Sequence, residues 1–100
     1  MQLDVKTFRA DCTDKDATRK VVEEAAEVFS AWETDGEIWP SGNPPIPARI
    51  GLLGTRLADE LADCITACCN LAERYRLDMQ AALDRVERKN RERGRYGRAD

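Results

Sequence analysis

"VVEEAAEVFSAW", residues 21–32, places three glutamates inside an apolar run. At about 100° per residue, Val21, Val22, Ala25, Val28, Phe29 and Trp32 fall on one broad face, the period of an amphipathic helix. Glu24 and Glu27 flank that face about 60° apart, and Glu23 lies further round. Lys20 sits between Glu24 and Glu27, one turn earlier, and with Arg19 supplies the positive charge nearby. So much negative charge along a hydrophobic edge raises the question of what offsets it.

Working outward, "TDKDATRK" (13–20) offers Thr13, Asp14 and Asp16 as N-cap oxygens and early negative charge, so the helix starts there and runs to about Trp32. A second helix is expected from about Arg56 to Tyr75, with Leu57, Leu61, Cys64, Ile65, Cys68, Leu71, Ala72 and Tyr75 as its apolar stripe. Glu60 and Asp63 border this stripe three residues apart, and Ala67 and Asn70 continue the same edge. "YRLD" (75–78) reads as a turn whose Asp78 caps a third helix from about Met79 to Arg93. That helix has a narrow apolar face of Met79, Ala82, Leu83 and Val86, and the tail beyond about residue 94 is expected to fray. Prolines and glycines in "ETDGEIWPSGNPPIPARIGLLG" (33–54) predict a long loop over about 33–55, with Trp39 and Ile46 as its apolar anchors.

One hundred residues, 42% apolar and 35% charged, suit a single folded domain spanning 1–100. The net charge of −3 argues against a nucleic-acid polymer as partner, although "DRVERKNRERGRYGRAD" (84–100) is strongly basic. No run approaches the roughly 20 apolar residues that cross a bilayer, and "MQLDVKTFRADC" lacks the parts of a signal peptide. The expectation is a cytoplasmic protein, not bound to a membrane, with reduced cysteines. Cys64, Cys68 and Cys69 match no common zinc spacing and read as small core residues. Histidine is absent, which removes its acid–base and ligand chemistry and leaves carboxylates, lysine, arginine or a metal.

If the first two helices pack antiparallel, Glu24, Glu27, Glu60 and Asp63 converge across the seam. Four close carboxylates do not all ionise without a counter-cation, and Mg²⁺ or Mn²⁺ relieves the repulsion through oxygen ligands. Two other readings are open from spacing alone: solvated acids on ordinary helix surfaces, or pairing with arginines of the third helix.

"EEAAE" (23–27) followed by "ELAD" (60–63) resembles the EExxE…ExxD signature of the MazG-like, all-α nucleoside triphosphate pyrophosphohydrolases. The likeness extends to "ERKNRERGRY" (87–96), similar to that family's basic segment, and covers roughly residues 15 to 96. The resemblance implies Glu24, Glu27, Glu60 and Asp63 as Mg²⁺ ligands (Mn²⁺ as substitute), with Glu23, or else Glu24, accepting a proton from the attacking water. It implies hydrolysis of a (d)NTP to the monophosphate and pyrophosphate, with nucleotide-pool housekeeping as the role. Lys89, Asn90 and Arg93 would then reach the phosphates, and Trp39 would contact the base, while Trp32 belongs to the core.

Thirty-two residues separate Glu27 from Glu60, a long connection for this family, and only a short segment precedes the first motif helix. An antiparallel helical hairpin plus a third helix leaves wide apolar faces uncovered. A homodimer or homotetramer completing a four-helix-bundle-type core is expected, with one chain's basic segment serving another's site. The competing functions are phosphoribosyl-ATP pyrophosphohydrolase, and a non-enzymatic helical interaction or regulatory module.

Overall fold

The computed structural model describes residues 1–36, 39 and 41–97, the side chains of 35 and 36 excepted. Among the described residues it is all-α, with four helices and no strand: α1 (Asp14–Gly36), α2 (Ile46–Ile50), α3 (Leu52–Arg74) and α4 (Met79–Glu92). None of these helices is long and apolar enough to cross a membrane.

α1 begins where its cap chemistry places it, since Thr13 Oγ1 accepts a hydrogen bond of 3.1 Å from the backbone N–H of Asp16. α4 begins the same way, with Asp78 Oδ1 accepting from Ala81 N–H at 3.0 Å. α3 ends in a Schellman turn: Leu77 N–H donates to Ala72 C=O and Arg76 N–H to Glu73 C=O. Arg76 holds the left-handed position of that turn at φ 52°, a place usually taken by glycine. Gly94 fills the equivalent position after α4, and turns continue to Gly97, where the guanidinium of Arg91 lies 5.3 Å from the centre of the Tyr96 ring. The last three residues of the expected tail, Arg98, Ala99 and Asp100, lie outside the described residues.

The stretch read as a loop over 33–55 is more helical than expected. α1 carries on to Gly36, α3 starts at Leu52, and α2 lies between them. Glu37, Ile38 and Pro40 lie outside the described residues. α2 forms because Pro45 and Pro47 stand at the N-cap and in the first turn, where a missing N–H costs nothing and a fixed φ helps. The anchor is not Ile46, which is 68% exposed, but Pro44, which is buried and whose carbonyl accepts from Arg49 Nε. α2 abuts α3 at Gly54, where an added Cβ would lie 1.8 Å from the Arg49 carbonyl oxygen. Gly54→Ala is therefore expected to cost about 2–3 kcal/mol by displacing α2, read as a lowered denaturant midpoint.

α1 and α3 form an antiparallel hairpin. Arg74, at the end of α3, meets Asp14 at the start of α1, while Ala31 and Thr34 near the end of α1 share a pocket with Arg56 near the start of α3. A line of half-buried or buried positions runs along each helix, Ala17, Val21, Glu24, Val28 and Ala31 on α1 and Leu53, Leu57, Glu60, Cys64, Ala67, Leu71 and Arg74 on α3, with Trp32, Gly54, Thr66, Cys69, Asn70 and Ala72 covered beside it. Their spacing alternates four and three, the pattern of a coiled-coil seam.

This seam corrects the expected apolar stripes. Of the residues assigned to them, Val22 and Phe29 are 67% and 62% exposed, and Leu61, Ile65, Cys68 and Tyr75 are exposed too. Val21, Val28, Leu57, Cys64 and Leu71 hold seam positions as expected, but each helix is rotated so that alanines and the acids Glu24 and Glu60 share the seam with them. Small side chains at Ala17, Ala31 and Ala67 let the backbones approach there. Trp32 is half-buried, its ring stacked 6.3 Å from that of Phe29, and is not enclosed.

The hairpin consequently has two unlike sides. Positions just before the seam (Lys20, Glu23, Glu27 and Ser30; Asp59, Asp63, Thr66 and Asn70) are polar and line two cavities on one side. Positions just after it (Val22, Ala25, Phe29 and Trp32; Leu61, Ile65, Cys68 and Tyr75) make the other side, which is apolar. Burial and the neighbouring Cys64 and Cys69 push the Cys68 thiol up from its ordinary pKa, keeping it a neutral group suited to that side.

Leu53, Ala67 and Ala72 are the buried hydrophobic side chains among the described residues, and no large one is fully enclosed. The accessible surface is 8214 Å², against about 5,700 Å² for an ordinary monomer of this mass. The radius of gyration, 16.4 Å, likewise exceeds the about 13 Å of a compact chain this long.

Candidate functional site

The centre of the polar side is a carboxylate cluster. One oxygen each from Glu24, Glu60 and Asp63 lies within 4.8 Å of the others. Glu24 and Glu60 are half-buried because they hold seam positions, and Asp63 is exposed on the adjacent edge. Burial raises the pKa of Glu60 above its ordinary value, and the charges of Asp63, Glu27, Glu24 and Asp59 push it further the same way. The Lys20 ammonium sits 2.9 Å from Glu24, and the hydrogen bond and charge of Glu24 hold it protonated above the usual lysine range. One lysine thus partly offsets three converging acids.

The donor set fits a hard divalent ion. Opposite oxygens around Mg²⁺ stand about 4.2 Å apart, and around larger ions further, so small side-chain rotations bring these three carboxylates to bonding distance. Three acids and no soft ligand disfavour zinc or copper.

Two cavities flank the cluster. The larger, about 530 Å³, is bordered by Glu24 and Asp63 and extends past Lys20, Glu23, Thr66 and Asn70 to Phe8 and Arg74. The smaller, about 280 Å³, is bordered by Glu60 and Glu27 and lined by Ser30, Thr34, Arg56 and Asp59. Glu27 thus stands beside the cluster of three, facing the smaller pocket, and Glu23 is exposed on the wall of the larger one.

Residues 8–14 close the far end of the large cavity. Phe8 N–H donates to Asn70 Oδ1 at 2.9 Å. Arg74, whose side chain is 10% exposed, pairs with Asp14 at 2.9 Å and donates to the carbonyls of Ala10 and Cys12. A nearly buried guanidinium with three oxygen acceptors is well satisfied, and it fixes the chain entering α1.

The other expected residues lie elsewhere. Lys89, Asn90 and Arg93 belong to α4 and its cap and line neither cavity; Asn90 Oδ1 accepts from Arg95 at 3.2 Å. Trp39 is half-buried in the connection, and its carbonyl accepts from Gly42 N–H at 2.9 Å. It lines neither cavity.

Sequence reasoning missed Phe8, Thr66 and Arg74 as site residues. Asn70 and Thr66 carried a signal, since both follow Asp63 along the same helical edge. Phe8 and Arg74 carried none, because they join the site only through contacts some sixty residues apart in the chain.

The fold and site define an all-α hairpin with an acidic cluster between two cavities. Comparison with family models, curated proteins and solved structures returns no match for the chain.

Proposed function

We propose that this protein is a divalent-metal-dependent hydrolase of nucleoside triphosphates, releasing pyrophosphate and the (d)NMP, with a housekeeping role in the cytoplasm. The observation that carries the reading is the convergence of Glu24, Glu60 and Asp63, two of which, Glu24 and Asp63, line a cavity large enough for a small molecule. Mg²⁺, or Mn²⁺ in its place, would be held by these three acids with Glu27 beside them, supplying charge neutralisation for the triphosphate and acidity for water. Glu23, or else Glu24, would accept the proton of that water, since both line the large cavity. Lys20, already at the cluster, offsets phosphate charge from the other wall.

The active form in this reading is a homodimer or homotetramer joined through the apolar side of the hairpin, completing a four-helix core. The surface in excess of a compact monomer, about 2,500 Å², matches what permanent interfaces cover. α4 of a second copy would bring Lys89, Asn90 and Arg93 to the phosphates.

The test is pyrophosphate release from a panel of common and damaged nucleotides, with phosphoribosyl-ATP included. Asp63→Asn is expected to lower kcat/KM about a hundredfold or more while keeping the helical spectrum of the parent. A parent protein that turns over no nucleotide with either Mg²⁺ or Mn²⁺ would overturn the reading and favour an interaction module.

A further inference from the structure

Resting on the hydrolase reading, we propose that Lys20 is an exchangeable internal counter-cation. Its ammonium holds Glu24 in the metal-free protein, yields that carboxylate to the ion, and turns to the phosphates of the nucleotide. Metal and nucleotide therefore each bind more tightly in the presence of the other.

The place of the ammonium is the first observation. Lys20 Nζ lies 2.9 Å from Glu24 Oε1, one turn along α1, and Glu24 is one of the three converging acids. The pair is unequal, since the lysine side chain is 59% exposed and that of Glu24 only 14%. The carboxylate is fixed in the seam, whereas the ammonium rides on a flexible four-carbon stem. A divalent ion on the same carboxylate would stand beside that ammonium, well within the about 8 Å over which physiological salt screens charge. Glu23 and Asp63 also act on the ammonium, which makes it the cluster's own cation until another arrives.

The neighbouring cations supply the second observation. Arg19 and Arg74 also line the large cavity, but neither is free to exchange at the cluster. Arg74 is nearly buried and donates to Asp14, Ala10 and Cys12. Arg19 pairs with Asp16 at 3.4 Å, towards the start of α1. Lys20 shares a wall with Glu24 and Asp63, so rotation of its stem carries the ammonium from Glu24 to a phosphate held there. A pair with one solvent-exposed member contributes little to stability and exchanges readily. The ion frees the ammonium for phosphate, and phosphate draws the ammonium off Glu24, so the coupling is the same in both directions.

The experiment compares the full-length protein with Lys20→Met and Lys20→Arg, both at an exposed position and expected to keep the parent's helical spectrum. Mn²⁺ binding without nucleotide is followed through the paramagnetic resonance signal of the free ion. Lys20→Met is expected to bind Mn²⁺ about fivefold more tightly than the parent, and Lys20→Arg, which keeps a cation for Glu24, no more tightly. With metal saturating, Lys20→Met should raise KM about tenfold for the best nucleotide of the panel. A lysine that only braces α1 would weaken both ligands or neither, so opposite signs are the signature of exchange. An active parent whose Lys20→Met variant binds Mn²⁺ no more tightly, or keeps its KM, would overturn the inference and leave the hydrolase reading intact. A parent that binds no Mn²⁺, or is inactive on every nucleotide, would take both down together.

Discussion

Glu60→Gln is expected to melt at a higher temperature than the parent protein in a chelator at neutral pH, while losing about a hundredfold or more of the proposed pyrophosphate release. The two effects have one cause. Glu60 fills a seam position, where partial burial and the acids Asp63, Glu27, Glu24 and Asp59 disfavour its charged form. A carboxyl whose folded pKa lies above its unfolded value binds its proton more tightly in the folded chain. The parent is therefore favoured at low pH, and that advantage is lost as pH rises from the ordinary carboxylate range through the raised value. Above this window the ionised group works against folding until a divalent cation offsets it. The amide removes both the penalty and the ligand. Melting curves in a chelator and in Mg²⁺, across acid and neutral pH, should show the parent gaining strongly from the ion at neutral pH and the variant gaining little. A parent indifferent to divalent ions, or a variant no more stable than it in the chelator, would contradict this account. Such trade-offs between stability and activity are common where function requires converging like charges.

In the proposed assembly, Leu61→Asp is expected to convert the oligomer into monomers that are largely unfolded at micromolar concentration. Leu61 is 47% exposed in the single chain and stands on the apolar side with Val22, Phe29 and Ile65. Covering each of these side chains contributes about 1.5–3 kcal/mol relative to leaving it wet, and a single chain encloses almost no core of its own. A carboxylate at the centre of such an interface gives up that gain and adds an unpaired charge. Sedimentation should show the parent at a multiple of 11.3 kDa and the variant at the single-chain mass, with its far-ultraviolet helical signal reduced. A parent that sediments as a stable monomer would refute the assembly.

The helices were legible in the sequence because their caps are local. Thr13 and Asp78 bond to N–H groups three residues on, and the periodicity between caps needs no tertiary information. Which face each helix buries was legible only in part, through Val21, Val28, Leu57, Cys64 and Leu71. Both hairpin helices carry two adjacent stripes that a packed neighbour could cover. The larger residues, such as Phe29 and Leu61, drew the expected seam away from Ala17, Glu24 and Ala67, which the chain uses. Much the same limit holds for the site. Glu24, Glu60 and Asp63 were visible as acids at one-turn spacing, whereas the cavity wall of residues 8–14 depends on Arg74 reaching across the end of the hairpin. α2 was hidden because prolines that break a helix interior also start one, and only position separates the two uses.

The division of α1 and α3 into a wet side and a greasy side restricts how this gene can vary in length. Inserting one codon between Val21 and Glu24 would turn the rest of α1 by about 100°. Phe29 would swing towards the cavities and the acids towards the bundle, spoiling both in a single event. Residues 41–43 and the chain before Phe8 lie outside any helix, so natural insertions and deletions should gather there.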